Sequence, residues 1–228
     1  MKHSGRAAKS ALKLVFWSLV LLLAVLSGGI LAKYVSRFIE ALAWLLIGLW
    51  GLFAAFTFYF FRDPTPIVPS LPKVVLSPGH GKVDVIDETT EPDFIGGPCR
   101  RISIFLSVID IHVQNAPISA QIAHLKHQPG KFLSATKAHS ADHNENILLG
   151  FASTEQPGQR IGLRLIAGLI ARRIVPFVSE GDAVQRGDRI SLIQFGSRCD
   201  LYLPLNALIQ INLGDHVKGG ETIVASFD

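Results

Sequence analysis

Hydrophobic positions follow two regimes along the chain. Leu14 to Ala32 reads LVFWSLVLLLAVLSGGILA, 19 uncharged residues bracketed by Lys13 and Lys33. Ala41 to Phe61 reads ALAWLLIGLWGLFAAFTFYFF, 21 uncharged residues bracketed by Glu40 and Arg62. At about 1.5 Å per residue each run makes a helix of roughly 30 Å, the thickness of a hydrocarbon core. The eight residues between them, KYVSRFIE, suffice for a turn. The pattern predicts a transmembrane hairpin over residues 1–62, with helices at 14–32 and 41–61. A cleaved signal peptide would have a shorter apolar run and no second span behind it.

After Asp63 the pattern changes. A Pro-rich exit (Pro64, Pro66, Pro69, Pro72) leads into short apolar runs broken by Gly, Pro and Asp: VVLSPGHGKVDVI, RISIFLSVIDIHV, DRISLIQFG, CDLYLPL. Short strands at this spacing predict a mainly β (α+β) domain over 63–228, a β-sandwich or barrel. The polar stretch 133–146 predicts one helix. The apolar run 161–171 contains Arg164 and has 11 residues, so it predicts a buried strand pair and no third span. A weak repeat, GDxVxxGxxI, occurs at Gly181–Ile190 and again 33 residues on at Gly214–Ile223. Each copy predicts a strand, a glycine-supported turn and a second strand. Such turns resemble those of biotinyl and lipoyl domains, although Lys82 lacks the surroundings of a modified carrier lysine.

Charge narrows the function. Residues 1–62 hold seven Lys/Arg against Glu40, while residues 63–228 hold 15 against 17 acids. The basic balance belongs to the apolar segment, which argues against nucleic acid as a partner. Four cations precede the first run, and the connecting turn has Lys33 and Arg37 offset by Glu40. The positive-inside rule then puts both termini, and the large domain, on the cytoplasmic side of a cell (inner) membrane. Cys99 and Cys199 are too few for a disulfide scaffold. His139 and His143 lie four apart on the predicted helix without a third ligand, so no metal site is expected.

Several motifs follow in order: FRDP (61–64), SPxxG (Ser77 to Gly81), HVxxAP (His112 to Pro117), PGKF (129–132), AGLIARRI (167–174) and FGSR (195–198). From about Phe60 to Phe227 the chain resembles the short-form phosphatidylserine decarboxylases. That resemblance implies a self-processing proenzyme. The Ser197 hydroxyl attacks the Gly196 carbonyl, and elimination splits the chain into residues 1–196 and a 32-residue fragment. Residue 197 becomes a pyruvoyl group. Its ketone forms a Schiff base with phosphatidylserine and accepts electrons as carbon dioxide leaves, giving phosphatidylethanolamine. An ether-lipid analogue is equally compatible.

Within that resemblance His112 is the candidate base for Ser197. Arg172 and Arg173 are candidates for substrate carboxylate or phosphate; adjacent strand residues face opposite ways, so at most one of them reaches it, and a structural salt bridge is the alternative. The resemblance departs at one place. The family usually carries an acid in the SPxxG loop to orient the base, and here the residue is His80. Two readings remain: His80 is itself a base, or Asp110 takes the place of the acid. The residues also leave open an unprocessed, non-catalytic relative that binds lipid or a partner at a membrane, and a homo-oligomer.

Overall fold

The computed structural model describes residues 5–31, 37–131, 143–168, 173–194 and 197–227. The chain divides into two units, Gly5–Asp63 and Pro64–Asp228. The first holds α1 (Arg6–Leu31) and α2 (Arg37–Phe60). Ala7–Gly29 and Ile39–Phe60 are each long and apolar enough to cross a membrane, and they mark the chain as membrane-associated. Both helices begin before the uncharged runs, because helical hydrogen bonding continues through flanking charged residues. Polar side chains are satisfied within the pair. Trp50 Nε1 donates to Ser18 Oγ at 2.8 Å, and the Ser18, Ser27 and Thr57 hydroxyls each donate to a carbonyl three or four residues back. A membrane interior offers no water to do this instead.

In the second unit the strands of the described residues all pair antiparallel. Its large curled sheet has eight strands in the order β13-β2-β3-β11-β7-β6-β5-β9. These are β2 (Gly81–Glu91), β3 (Gly97–Leu106), β5 (Ala120–Gln128), β6 (Asn146–Ser153), β7 (Arg160–Ala167), β9 (Ala183–Val184), β11 (Ser197–Leu203) and β13 (His216–Val217). Two smaller sheets have the orders β1-β14-β12 and β4-β10-β8. They comprise β1 (Val74–Leu76), β4 (Val113–Asn115), β8 (Ile174–Pro176), β10 (Arg189–Ile193), β12 (Leu208–Ile209) and β14 (Ile223–Ser226). The mainly β expectation holds.

β11 is the central strand, and all seven of its residues are buried. Cys199, Leu201 and Leu203 pack into the main core with Ile102, Ile104 and Leu106 of β3 and Leu163, Leu165 and Ala167 of β7. Tyr202, on the other face, packs with Phe94, Cys99 and Leu148. Each such aliphatic side chain contributes about 1.5–3 kcal/mol by leaving water.

The two GD copies are structural equivalents. β9 and β13 form the two opposite edges of the large sheet, while β10 and β14 are the middle strands of the two small ones. Asp182 Oδ2 accepts from Ser179 N at 2.9 Å, and Asp215 Oδ2 accepts from Asn212 N at 2.8 Å. Gly187 and Gly220, at matching positions, have φ of +82° and +71°. The Pro-rich segment lies over both: a Cβ on Gly187 would run into Val68 Cγ2, and one on Gly220 would meet Pro66 Cβ at 2.9 Å. Arg186 Nη1 donates to Leu71 O at 2.6 Å, and Ile67 N donates to Glu221 Oε1 at 3.2 Å.

Two local expectations change. Of the predicted helix over 133–146, residues 133–142 lie outside those described, and the rest is a turn leading into bridge and strand. Asn144 bridges to Lys131, and Asn146 opens β6 opposite Ile166. Backbone pairing to β7 outweighs the polar composition. The run 161–171 supplies one strand, β7, with residues 169–171 outside those described.

Candidate active site

Ser197 opens β11 in the middle of the large sheet, opposite Leu106 on one side and Ala167 on the other. Alternation puts it on the same face as Cys199 and Leu201, toward the main core. It is fully buried, and its Oγ has no hydrogen-bond partner among the described residues. Leaving a buried hydroxyl unmade costs about 1–3 kcal/mol, so such a group calls for an explanation. Its apolar neighbours give nothing to bond to. A hydroxyl left unengaged there is available as a nucleophile. Phe195 and Gly196, on the other side of the predicted cleavage, lie outside the described residues.

His112 is also fully buried, immediately before β4. Its backbone carbonyl accepts from Ile193 N at 3.1 Å, which sets it beside the end of β10, three residues before Gly196. Its Nδ1 lies 2.9 Å from Asp110 O. A carbonyl only accepts, so Nδ1 carries a proton, and in the neutral ring the lone pair is then on Nε2. That is the tautomer a base requires. One orienting group is therefore a main-chain carbonyl. The Asp110 carboxylate is engaged elsewhere: its Oδ2 accepts from Ser107 N at 2.8 Å and Ser107 Oγ at 2.7 Å, closing the turn after β3.

His80 lies in the loop between β1 and β2, half-buried. The loop is tied down by Ser77 Oγ donating to Gly79 O at 2.6 Å and by Asn115 N donating to Pro78 O at 2.8 Å. A Cβ on Gly79 would sit 3.4 Å from Cys199 Sγ and 3.7 Å from Leu106, so the loop backs onto the neighbours of Ser197. The His80 ring itself lies against Gly219, beside Asn115. The fold thus gathers Ser197, His112 and the His80 loop around the junction of β10, β11 and β4. Arg173 is exposed, with its carbonyl accepting from Gln194 N at 3.2 Å, so it flanks the same junction from outside. Arg172 lies outside the described residues, as does His139. No group of three metal-ligating side chains occurs among the described residues.

Two features of the site escaped the sequence reading. Arg198, almost fully buried, makes a bidentate pair with Asp84, Nη1–Oδ1 2.7 Å and Nη2–Oδ2 2.5 Å. Asp84 sits at the irregularity where β2 slips register against β3 between Val83 and Val85. The pair anchors the residue next to Ser197 with charge-assisted bonds. The sequence carries no signal for it: in KVDVI Asp84 falls in phase with Lys82 on the polar side of the alternation. The second feature is Asp200, buried on the same face as Arg198, with Oδ1 lacking a partner among the described residues. Burial raises its carboxyl above the usual range, against the lowering pull of a Ser103 hydrogen bond and nearby arginines. Burial likewise pushes the Cys199 thiol well up, so it stays protonated and packs.

The family model for phosphatidylserine decarboxylase matches residues 53–225. A protein of Desulfotalea psychrophila named phosphatidylserine decarboxylase proenzyme is 46% identical over 173 residues, covering 76% of this chain and 80% of its own. Proteins of the same name from Amoebophilus asiaticus and Erythrobacter litoralis are 38% identical over 211 residues and 42% over 208. They cover 92% and 85% of this chain, and 90% and 81% of their own lengths. With most of both chains aligned and the family model spanning the whole strand region, this chain belongs to the phosphatidylserine decarboxylase family.

Proposed function

We propose that the chain is a membrane-bound proenzyme that cuts itself between Gly196 and Ser197 and then decarboxylates phosphatidylserine to phosphatidylethanolamine. The observation that carries this reading is the Ser197 hydroxyl, fully buried and without a partner among the described residues, at the start of the central strand. In the first step Ser197 Oγ attacks the Gly196 carbonyl carbon. His112 takes the hydroxyl proton, and the amide nitrogen leaves protonated, so an ester replaces the peptide bond. Loss of the Cα proton of residue 197 then breaks its Cβ–O bond and frees Gly196 as a carboxylate. The dehydrated residue tautomerises, and water displaces its nitrogen as ammonia.

A pyruvoyl group at 197 supplies an electrophilic ketone that binds the substrate amine and takes up the electron pair released with carbon dioxide. The residues present fit it. Leu106, Ala167 and Cys199 exclude water around position 197, and the Arg198–Asp84 pair fixes the residue behind it. His112 is assigned the return of a proton to the product. Arg173, with Arg172 beside it in sequence, is assigned to the anionic head group. The two-unit division after Asp63 supports a membrane segment over 1–62 and a catalytic domain over 63–228, with the catalytic domain on the cytoplasmic side by the charge asymmetry. The 197–228 fragment stays in the fold, because β11 is hydrogen-bonded on both sides to strands of the larger fragment.

The test is Ser197→Ala. It is expected to leave a single chain of 24.8 kDa with no decarboxylation. A variant that still splits at this bond, or wild-type protein that stays whole and inactive, contradicts the reading. The second result would favour a non-catalytic lipid-binding relative.

A further inference from the structure

β3 ends at Leu106, directly opposite Ser197, and the chain turns over Ser107–Asp110 before reaching His112. The turn is closed three times: Asp110 N donates to Ser107 O at 2.9 Å, and Asp110 Oδ2 accepts from both Ser107 N and Ser107 Oγ. Turn tips are ordinarily Gly, Pro, Asn, Asp or Ser. Here the tip is Val108 and Ile109, 40% and 62% exposed. Two β-branched apolar side chains are thus held out into solvent on a rigid turn at the Ser197 end of the sheet. The same turn orients His112 through Asp110 O. At that end also stands the exposed Arg173, joined by its carbonyl to Gln194.

We infer that the Val108–Ile109 tip inserts into the lipid surface, with Arg173 meeting anionic head groups at its edge. The occupant is a bilayer because the chain already carries two apolar segments fit to enter one. Apolar side chains beside a cation match the boundary between acyl chains and acidic head groups. Leu205, also exposed, lies past the far end of β11, about 20 Å along a strand rising roughly 3.3 Å per residue, and provides the internal contrast. The purpose of the insertion rests on the function proposed above: it would set the Ser197 end of the large sheet against the head groups that end must take up.

The test uses the full chain reconstituted in phosphatidylcholine vesicles containing phosphatidylserine. Cys99 and Cys199 are buried, so an environment-sensitive fluorophore can be placed selectively at Ile109→Cys or Leu205→Cys. The Ile109 label is expected to shift to the blue and to be quenched by lipid-borne quenchers, in both wild-type and Ser197→Ala backgrounds. The Leu205 label is expected to report water. Equal exposure of both labels to water overturns the proposal. Ile109→Asp is expected to lower decarboxylation of vesicle phosphatidylserine about tenfold, the direction set by a carboxylate at the interface. Turnover of a short-chain soluble phosphatidylserine, and self-cleavage, should stay within about twofold. An equal loss on both substrates overturns the insertion. Absence of all decarboxylation in wild type with the Ile109 label still in lipid removes the function reading and leaves the insertion standing.

Discussion

The two GDxVxxGxxI copies share a backbone and differ in what they deliver. In both, an Asp caps the turn, a glycine with positive φ lies under the Pro-rich segment, and the exit strand becomes the middle of a three-stranded sheet. The first copy's exit strand, β10, runs beside His112 and leads across residues 194–196 into β11, the centre of the other sheet. The second copy's exit strand, β14, leads to Phe227, which packs in the core. The position after the second glycine also differs. Asp188 folds back to accept from Gln185 N at 2.9 Å, whereas Glu221 reaches out to Ile67 N. The repeat is therefore a scaffold, and the proposed chemistry lies in the crossing that follows only one copy. The proposed cut at that crossing puts one copy in each fragment, with the Pro-rich segment lying over both.

The sharpest way to break this comparison is at the histidines. His112→Ala is expected to slow self-cleavage roughly hundredfold or more, the usual contribution of a positioned base. His216, exposed in the second copy's β13, should tolerate alanine with cleavage within about twofold. Time courses on denaturing gels read both. Equal effects would mean that the copies are not chemically distinct. His80→Asp and His80→Ala extend the series: the Asp110 carbonyl already orients His112, so neither should abolish cleavage.

The glycines give the next effect. Gly187→Ala and Gly220→Ala combine a positive φ with a clash against Val68 or Pro66, and should each destabilise by about 1–3 kcal/mol. Gly181 and Gly214 also have positive φ but open space around them, so alanine there should cost only about 1 kcal/mol. Thermal unfolding in detergent would order the four. Equal losses at all four positions would show that the Pro-rich segment does not press on the turns.

The smallest effect concerns the buried acid on the strand after the first copy. Asp200 holds its proton more tightly folded than unfolded, because burial disfavours its charge. Its contribution is fully present below the unfolded value, about pH 4, and is lost as pH rises through the folded value. Asp200→Asn carries no such charge. Its melting temperature should gain on wild type as pH is raised from about 4 to 8. A difference that stays flat across that range, or shrinks, contradicts the assignment.

Much of this was legible in the residues. Two uncharged runs of helical length announced α1 and α2, and the GD repeat announced two equivalent turns. Glycine followed by serine between two apolar runs, inside ordered motifs, marked position 197. What the chain could not show was neighbourhood. β11 reads SRCDLYL, with polar residues on both faces, yet all of it is buried. Alternation turns Cys199, Leu201 and Leu203 inward, but only the ladders to β3 and β7 explain why Arg198 and Asp200, on the opposite face, are buried too. Asp110 looked like the substitute for a missing acid. The structure assigns its carboxylate to Ser107 and its carbonyl to His112, a distinction that composition and spacing do not carry. Asp84 found Arg198 only through a slipped register, 114 residues away.

The most direct measurement is the intact mass of the purified full-length protein and of its fragments under denaturing conditions. The account predicts two chains: residues 1–196 ending in a free carboxylate, and residues 197–228 lighter by one ammonia than the corresponding serine peptide and blocked at its N-terminus. A single unbroken chain, a cut at another bond, or a small fragment that keeps an N-terminal serine would contradict it.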